Sequence, residues 1–140
     1  MLIKFFFIEN RVTLNDRNKL KLFLLKLFKK EKKKIQSLNY IFCSDEYLLN
    51  INQKFLQHNY YTDIITFDLS QAKNKIEGEV YISIDRVKEN ALENKEAFKK
   101  ELHRVIFHGA LHLCGYKDKS IKEIAKMRSA EDKYLKHYFP

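Results

Sequence analysis

KEAFKKELHRVIFHGALHLCGYKD, residues 95–118, holds the central helical signal of this chain and its most reactive side chains. Phe98, Leu102, Val105, Ile106 and Leu113 gather on one side of a helical wheel, while Phe107 and Leu111 point elsewhere. Apolar groups on more than one side predict a mostly buried helix from Lys95 to Cys114. His108 and His112 flank the main stripe, where a cleft can meet the core. Spaced four residues apart, they lie about 40° from each other around the axis, so both imidazoles reach one ion. Gly115 can take the left-handed conformation that ends a helix and turns the chain back, delivering Asp118 as a third ligand. Two imidazoles and a carboxylate suit one zinc ion per chain, with a fourth position open to water. Cys114 falls roughly 240° from His108 around the same helix, which makes it a packing residue rather than a ligand.

Upstream, residues 2–8 read as a buried strand rather than the apolar part of a signal sequence, because the run is short and no small-residue cleavage site follows. Thr13-Leu14-Asn15-Asp16 offers capping side chains for a helix whose face is Leu20, Phe23, Leu24, Leu27 and Phe28. That helix closes in Lys29-Lys30-Glu31-Lys32-Lys33-Lys34. Leu38 to Cys43 alternates like a strand, and Ser44-Asp45 caps a helix through about Phe55. A polar loop, 57–63, leads to a strand at Ile64–Phe67 and another at Ile76–Ile84, followed by a helix over Asp85–Asn94. A last amphipathic helix starts near Ser120, with Ile121, Ile124, Met127, Tyr134 and Leu135 available for packing. No repeat or domain boundary interrupts this order. It predicts a single α+β domain over residues 1–140: a mixed four-stranded sheet covered by about five helices, with the metal site at the end of a central helix.

The chain has 140 residues, enough for one core, and 45% of them are hydrophobic. No apolar run approaches the length of about 20 residues that a membrane span needs. Two cysteines, Cys43 and Cys114, are too few for a disulfide framework, so a reduced, cytoplasmic setting fits. The formal net charge is +9, a field that attracts polyanions, meaning nucleic acid or an anionic membrane surface. The lysine run at 29–34 has two compatible readings: a solvated helix end, where cations suit the dipole, or part of that polyanion-binding field.

The histidine spacing is shared with metzincin peptidases, whose general base is the glutamate after the first histidine. Gly109 stands there in this chain, so a peptidase of that mechanism is disfavoured. Zinc can still acidify water and polarise a phosphoryl oxygen. A phosphodiester carries negative charge, which the basic composition suits, and the RNA 2′-hydroxyl can serve as an internal nucleophile.

Residues 108–116 match the fixed positions of H-G-x-L-H-L-x-G-Y, a motif that closely resembles the YbeY family of metal-dependent endoribonucleases, or rRNA maturation factors. Thr62-Asp63-Ile64-Ile65-Thr66-Phe67 resembles that family's T-D-V-L-S-F segment, and Gly78 to Ser83 its G-D-I-x-I-S strand; the likeness spans roughly residues 40–135. The resemblance implies a small cytoplasmic, zinc-dependent endoribonuclease. Its partners would be rRNA and the ribosomal small subunit, in 3′-end maturation and ribosome quality control. The alternative is a ribosome-associated RNA-binding factor whose metal is mainly structural.

The chain departs from the family at two positions. Lys117-Asp118 replaces an Asp-His ending, which puts Asp118 in the place of the family's third histidine. Leu56 occupies the position of a family arginine six residues before Thr62. Arg104, one turn before His108 and on the same helix face, is the candidate to supply a phosphate contact instead. His58, in the loop before Thr62, is a second catalytic candidate, while His103 and His137 read as surface residues.

Overall fold

Four strands and five helices form among residues 2–8 and 12–140, the part of the chain that this computed structural model describes. In order they are β1 (Ile3–Phe7), α1 (Arg17–Lys30), β2 (Lys34–Cys43), α2 (Asp45–Leu56), β3 (Ile64–Asp68), β4 (Lys75–Ser83), α3 (Ile84–Glu93), α4 (Phe98–Leu113) and α5 (Ile121–Tyr138). The sheet runs β1-β2-β4-β3, with β1, β2 and β4 parallel and β3 antiparallel to β4. This is the mixed α+β arrangement that the sequence predicts. Among the described residues, no helix is long and apolar enough to cross a membrane.

Alternation along β4 sends Ile76, Val80 and Ile82 into the main core. Tyr81 points to the opposite face and joins Cys43, Leu48 and Ile65 in a smaller cluster with residues of α2. Phe107 and Leu111, off the main stripe of α4, are fully buried because α1 and α5 pack against that helix as well. Phe23 of α1, for instance, stands 5.2 Å from the Phe107 ring and 5.0 Å from that of Tyr138.

α4 lies unusually close to the sheet. A Cβ on Gly109 would stand 2.8 Å from Val80 Cγ1 and 3.0 Å from Ile64 Cδ1, and one on Gly78 would meet Leu113 Cδ2 at 2.9 Å. The missing side chain at residue 109 therefore has a packing reason. Its absence lets α4 settle onto β4 beside β3, which sets His108 and His112 at the edge of the sheet.

Several local expectations are corrected. β1 is an edge strand, not a buried one: Ile3 is buried, but Leu2 and Phe6 are about half exposed. β2 begins four residues before Leu38. A register shift between Ile35 and Ser37 lets Ile35 and Leu38 both reach the core, and this bulge hides the alternation from a simple count. α1 starts without a side-chain cap, because Asp16 sits in the left-handed region and makes no capping bond.

His103 is also corrected: it is buried, while His137 is exposed as expected. The end of α5 closes over it, with Tyr138 stacked on its ring at 5.0 Å and Phe139 edge-on at 5.0 Å. Nδ1 donates to the Lys99 carbonyl at 2.7 Å, leaving Nε2 as a buried acceptor with no partner among the described residues. Burial lowers its pKa below the usual histidine range, outweighing the bond to Lys99. The unfolded chain thus takes up a proton on this ring before the folded one does, and stability falls as pH drops through about 6.5. In a His103→Phe protein this contribution disappears. Its melting temperature relative to the wild type should rise between about pH 7.5 and pH 5.5; a constant difference would show that His103 titrates alike in both states.

Candidate metal centre

The last turn of α4 ends in a Schellman arrangement. The Gly115 amide donates to His112 O and the Tyr116 amide to Leu111 O, each at 3.0 Å. Gly115 has φ +104°, a conformation that a side chain would strain. The chain reverses there and is secured again four residues later. Ser120 and Glu123 form a capping box at the start of α5, and Glu123 Oε1 also accepts the Lys119 amide at 3.2 Å. Asp118 lies between these two fixed ends.

The reversal brings three donors to one point. His108 Nε2 and His112 Nε2 each stand 3.2 Å from Asp118 Oδ2, and the donor atoms of all three residues lie within 4.8 Å of one another. The other ring nitrogens are engaged by groups that only accept. His108 Nδ1 donates to Glu131 Oε2 at 2.6 Å, and His112 Nδ1 donates to the Tyr116 carbonyl at 2.9 Å. With Nδ1 engaged on each ring, Nε2 is the nitrogen that each ring presents to Asp118 Oδ2, and two imidazole nitrogens and a carboxylate oxygen converge on one point. A divalent cation can take the place of a proton at that point. Donors held about 2.0–2.1 Å from a tetrahedral zinc stand about 3.3 Å apart, close to the two separations found here. The residues fit the metal, and their Nδ1 partners are the second shell that such ligands use.

The surrounding charge agrees. Burial opposes a charge on His108, yet the bond to Glu131 and its negative charge, with Asp118 and Asp63 adding, hold the imidazole above the usual histidine range. A negative potential that retains a proton also draws in a divalent cation, which then competes for the same nitrogen. Burial raises the carboxyls of Asp63 and Glu101 as well. It pushes the Cys114 thiol up to about 12, which suits a packing residue better than a ligand.

The three donors open into a cleft of about 780 Å³ between β3, α4 and α5. Arg104 lines it, with Nη1 bonded to Glu131 Oε1 at 3.2 Å and Asp132 Oδ1 at 2.8 Å. His58 is not brought there. It is exposed, stacked on Tyr60, and its Nδ1 pairs with the Tyr60 hydroxyl at 2.9 Å. Leu56, at the end of α2, is partly exposed and also lies outside the cleft lining.

Sequence reasoning missed Asp63, Glu101 and Glu131, all in the cleft wall. Glu131 left a signal. It follows Met127 by one turn and precedes Tyr134 and Leu135 on the buried stripe of α5, where an acid needs a partner.

The family model described as endoribonuclease YbeY matches residues 8–139. Among curated relatives, an endoribonuclease YbeY of Cytophaga hutchinsonii is 57% identical over 132 residues, covering 94% of this chain and 92% of its own. One of Karelsulcia muelleri is 56% identical over 106 residues, 76% of this chain and 74% of its own. A Thermotoga maritima protein solved in solution superposes with TM-score 0.69 at 30% identity, over 98% of this chain and 89% of that one.

Proposed function

The chain belongs to the family of YbeY endoribonucleases, and on that premise we propose that it is a zinc-dependent endoribonuclease cleaving single-stranded RNA. Its setting in this reading is the cytoplasm, where it serves small-subunit rRNA 3′-end maturation and ribosome quality control. The observation that carries the chemistry is the convergence of His108 Nε2 and His112 Nε2 on Asp118 Oδ2, each at 3.2 Å. Zinc held there supplies Lewis acidity, polarising a phosphoryl oxygen and acidifying water.

The chain's own residues do the rest. Glu131 and the Tyr116 carbonyl fix both rings with Nε2 forward. Arg104 holds Glu131 through Nη1, while its Nε and Nη2 make no bond to the described residues and are available to a phosphate oxygen. Gly109 offers no base, so the proton of the attacking hydroxyl passes to water or to a carboxylate of the cleft wall. A purely structural zinc calls for four protein ligands, and the described residues supply three. That favours turnover over the RNA-binding alternative.

The test is metal removal. Chelation should abolish cleavage of an unstructured oligoribonucleotide, and stoichiometric zinc should restore it; cleavage that survives complete stripping overturns the reading. In the same assay Arg104→Gln should retain zinc and lose about a hundredfold in rate. Unchanged cleavage would remove Arg104 from the site.

A further inference from the structure

The lysine run at 29–34 spans the end of α1, the turn after it and the first residue of β2, and the fold carries it to the metal centre. Glu31, its one acid, faces inward, where both carboxylate oxygens are taken by tyrosines: Tyr116 at 3.1 Å and Tyr134 at 2.6 Å. Tyr116 is also the residue whose carbonyl holds His112. The neighbouring turn between β3 and β4 comes alongside, with Lys34 bonded through its amide to Asn74 O at 2.7 Å and Lys33 Nζ to Lys73 O at 3.1 Å. None of Lys29, Lys30, Lys32, Lys33, Lys34, Lys73 or Lys75 enters an ion pair among the described residues.

Between these turns and the end of α4 lies a second recess of about 320 Å³, walled by Lys33 and Lys73. It shares Asp68, His112 and Leu113 with the main cleft, so the two adjoin. Charge is divided along this track: acids gather around the proposed zinc ligands, and cations gather beyond them.

We propose that this second recess binds the backbone of the RNA strand as it leaves the metal centre, with Lys33 and Lys73 taking successive phosphates. The proposal rests on the RNA-cleaving function argued above and adds a direction to it: the strand passes His112 and runs out over the α1–β2 turn. Asp68 stands at the junction of the two recesses, where it repels phosphate and accepts a ribose hydroxyl instead. A track that follows the backbone takes any base, which suits single-stranded RNA.

The experiment is fluorescence anisotropy of labelled, unstructured oligoribonucleotides of about 4 and about 12 nucleotides on the zinc-loaded protein, across a range of salt. The wild type should bind the longer strand more tightly. The double variant Lys33→Gln/Lys73→Gln should lose about tenfold of that gain, and its salt slope should fall by about 1.4, or 0.7 for each phosphate released. Lys33→Glu/Lys73→Glu should lose more, with melting temperature and zinc content as controls for the fold. An unchanged length dependence or salt slope in these variants overturns the subsite, as does lysine-dependent binding to anionic vesicles in preference to RNA. Lysine-dependent RNA binding by a wild type that cleaves nothing would instead uphold the track and refute the nuclease.

Discussion

An Asp118→Ala protein should fold normally, lose its zinc and lose nearly all RNA cleavage. The fold should persist because Asp118 is partly exposed and its loop is secured on one side by the Schellman turn at Gly115 and on the other by the capping box at Ser120. The metal should not persist, since two imidazoles alone cannot complete the shell. Removing a partner that merely orients a ligand costs about 10–100-fold in affinity, and removing a ligand itself costs at least that. The Lewis acid lowers the barrier by several kcal/mol, so turnover should drop by about a thousandfold without it. Asp118→His should keep both zinc and activity, because an imidazole is an equivalent donor. Zinc content by elemental analysis, beside circular dichroism, checks the set. Full occupancy in Asp118→Ala would mean that the third donor lies elsewhere.

Glu131 should be the most consequential residue outside the proposed ligand set. Its carboxylate is buried and joins His108 at 2.6 Å, Arg104 at 3.2 Å and Arg128 at 3.5 Å. Glu131→Leu leaves the Arg104 guanidinium, only 12% exposed, with Asp132 alone, and should cost about 3 kcal/mol in stability. It also frees the His108 ring to turn or change tautomer, which should weaken zinc binding by about 10–100-fold. Glu131→Gln keeps an oxygen for His108 Nδ1 and should fall between wild type and Glu131→Leu in affinity. Competition with a chelator of known strength gives that order, and denaturant melts of zinc-free protein give the stability. Equal zinc affinity in all three proteins would show that the ring needs no partner to hold it.

Local chemistry made most of the architecture legible. The period of Leu20, Phe23, Leu24, Leu27 and Phe28 marked α1, Ser44 and Ser120 marked the starts of α2 and α5, and the fall of apolar residues on several sides of α4 marked a central helix. The His108, His112 and Asp118 grouping was legible because its geometry depends on one helix and one turn. What failed was non-local. His103 looked like a surface residue until the far end of the chain, Tyr138 and Phe139, folded over it. Glu131 met His108 only when α5 docked on α4, and Glu31 met Tyr116 across 85 positions. Such pairings are fixed by tertiary packing, which no spacing within one element records. The bulge in β2 hid four residues of strand for a related reason, since it breaks the two-residue period that reveals a strand.

The contact of Gly109 with Val80 and Ile64 has an implication for how this scaffold can change. The glutamate that would convert the histidine pair into a peptidase centre belongs at that same residue, and its first carbon already collides with the sheet. Installing it means prising the helix from its bed, and both imidazoles would travel with it, away from Asp118. One small volume would have to seat a proton acceptor and a backbone contact at once. Protease chemistry is thus several coordinated substitutions away, not one.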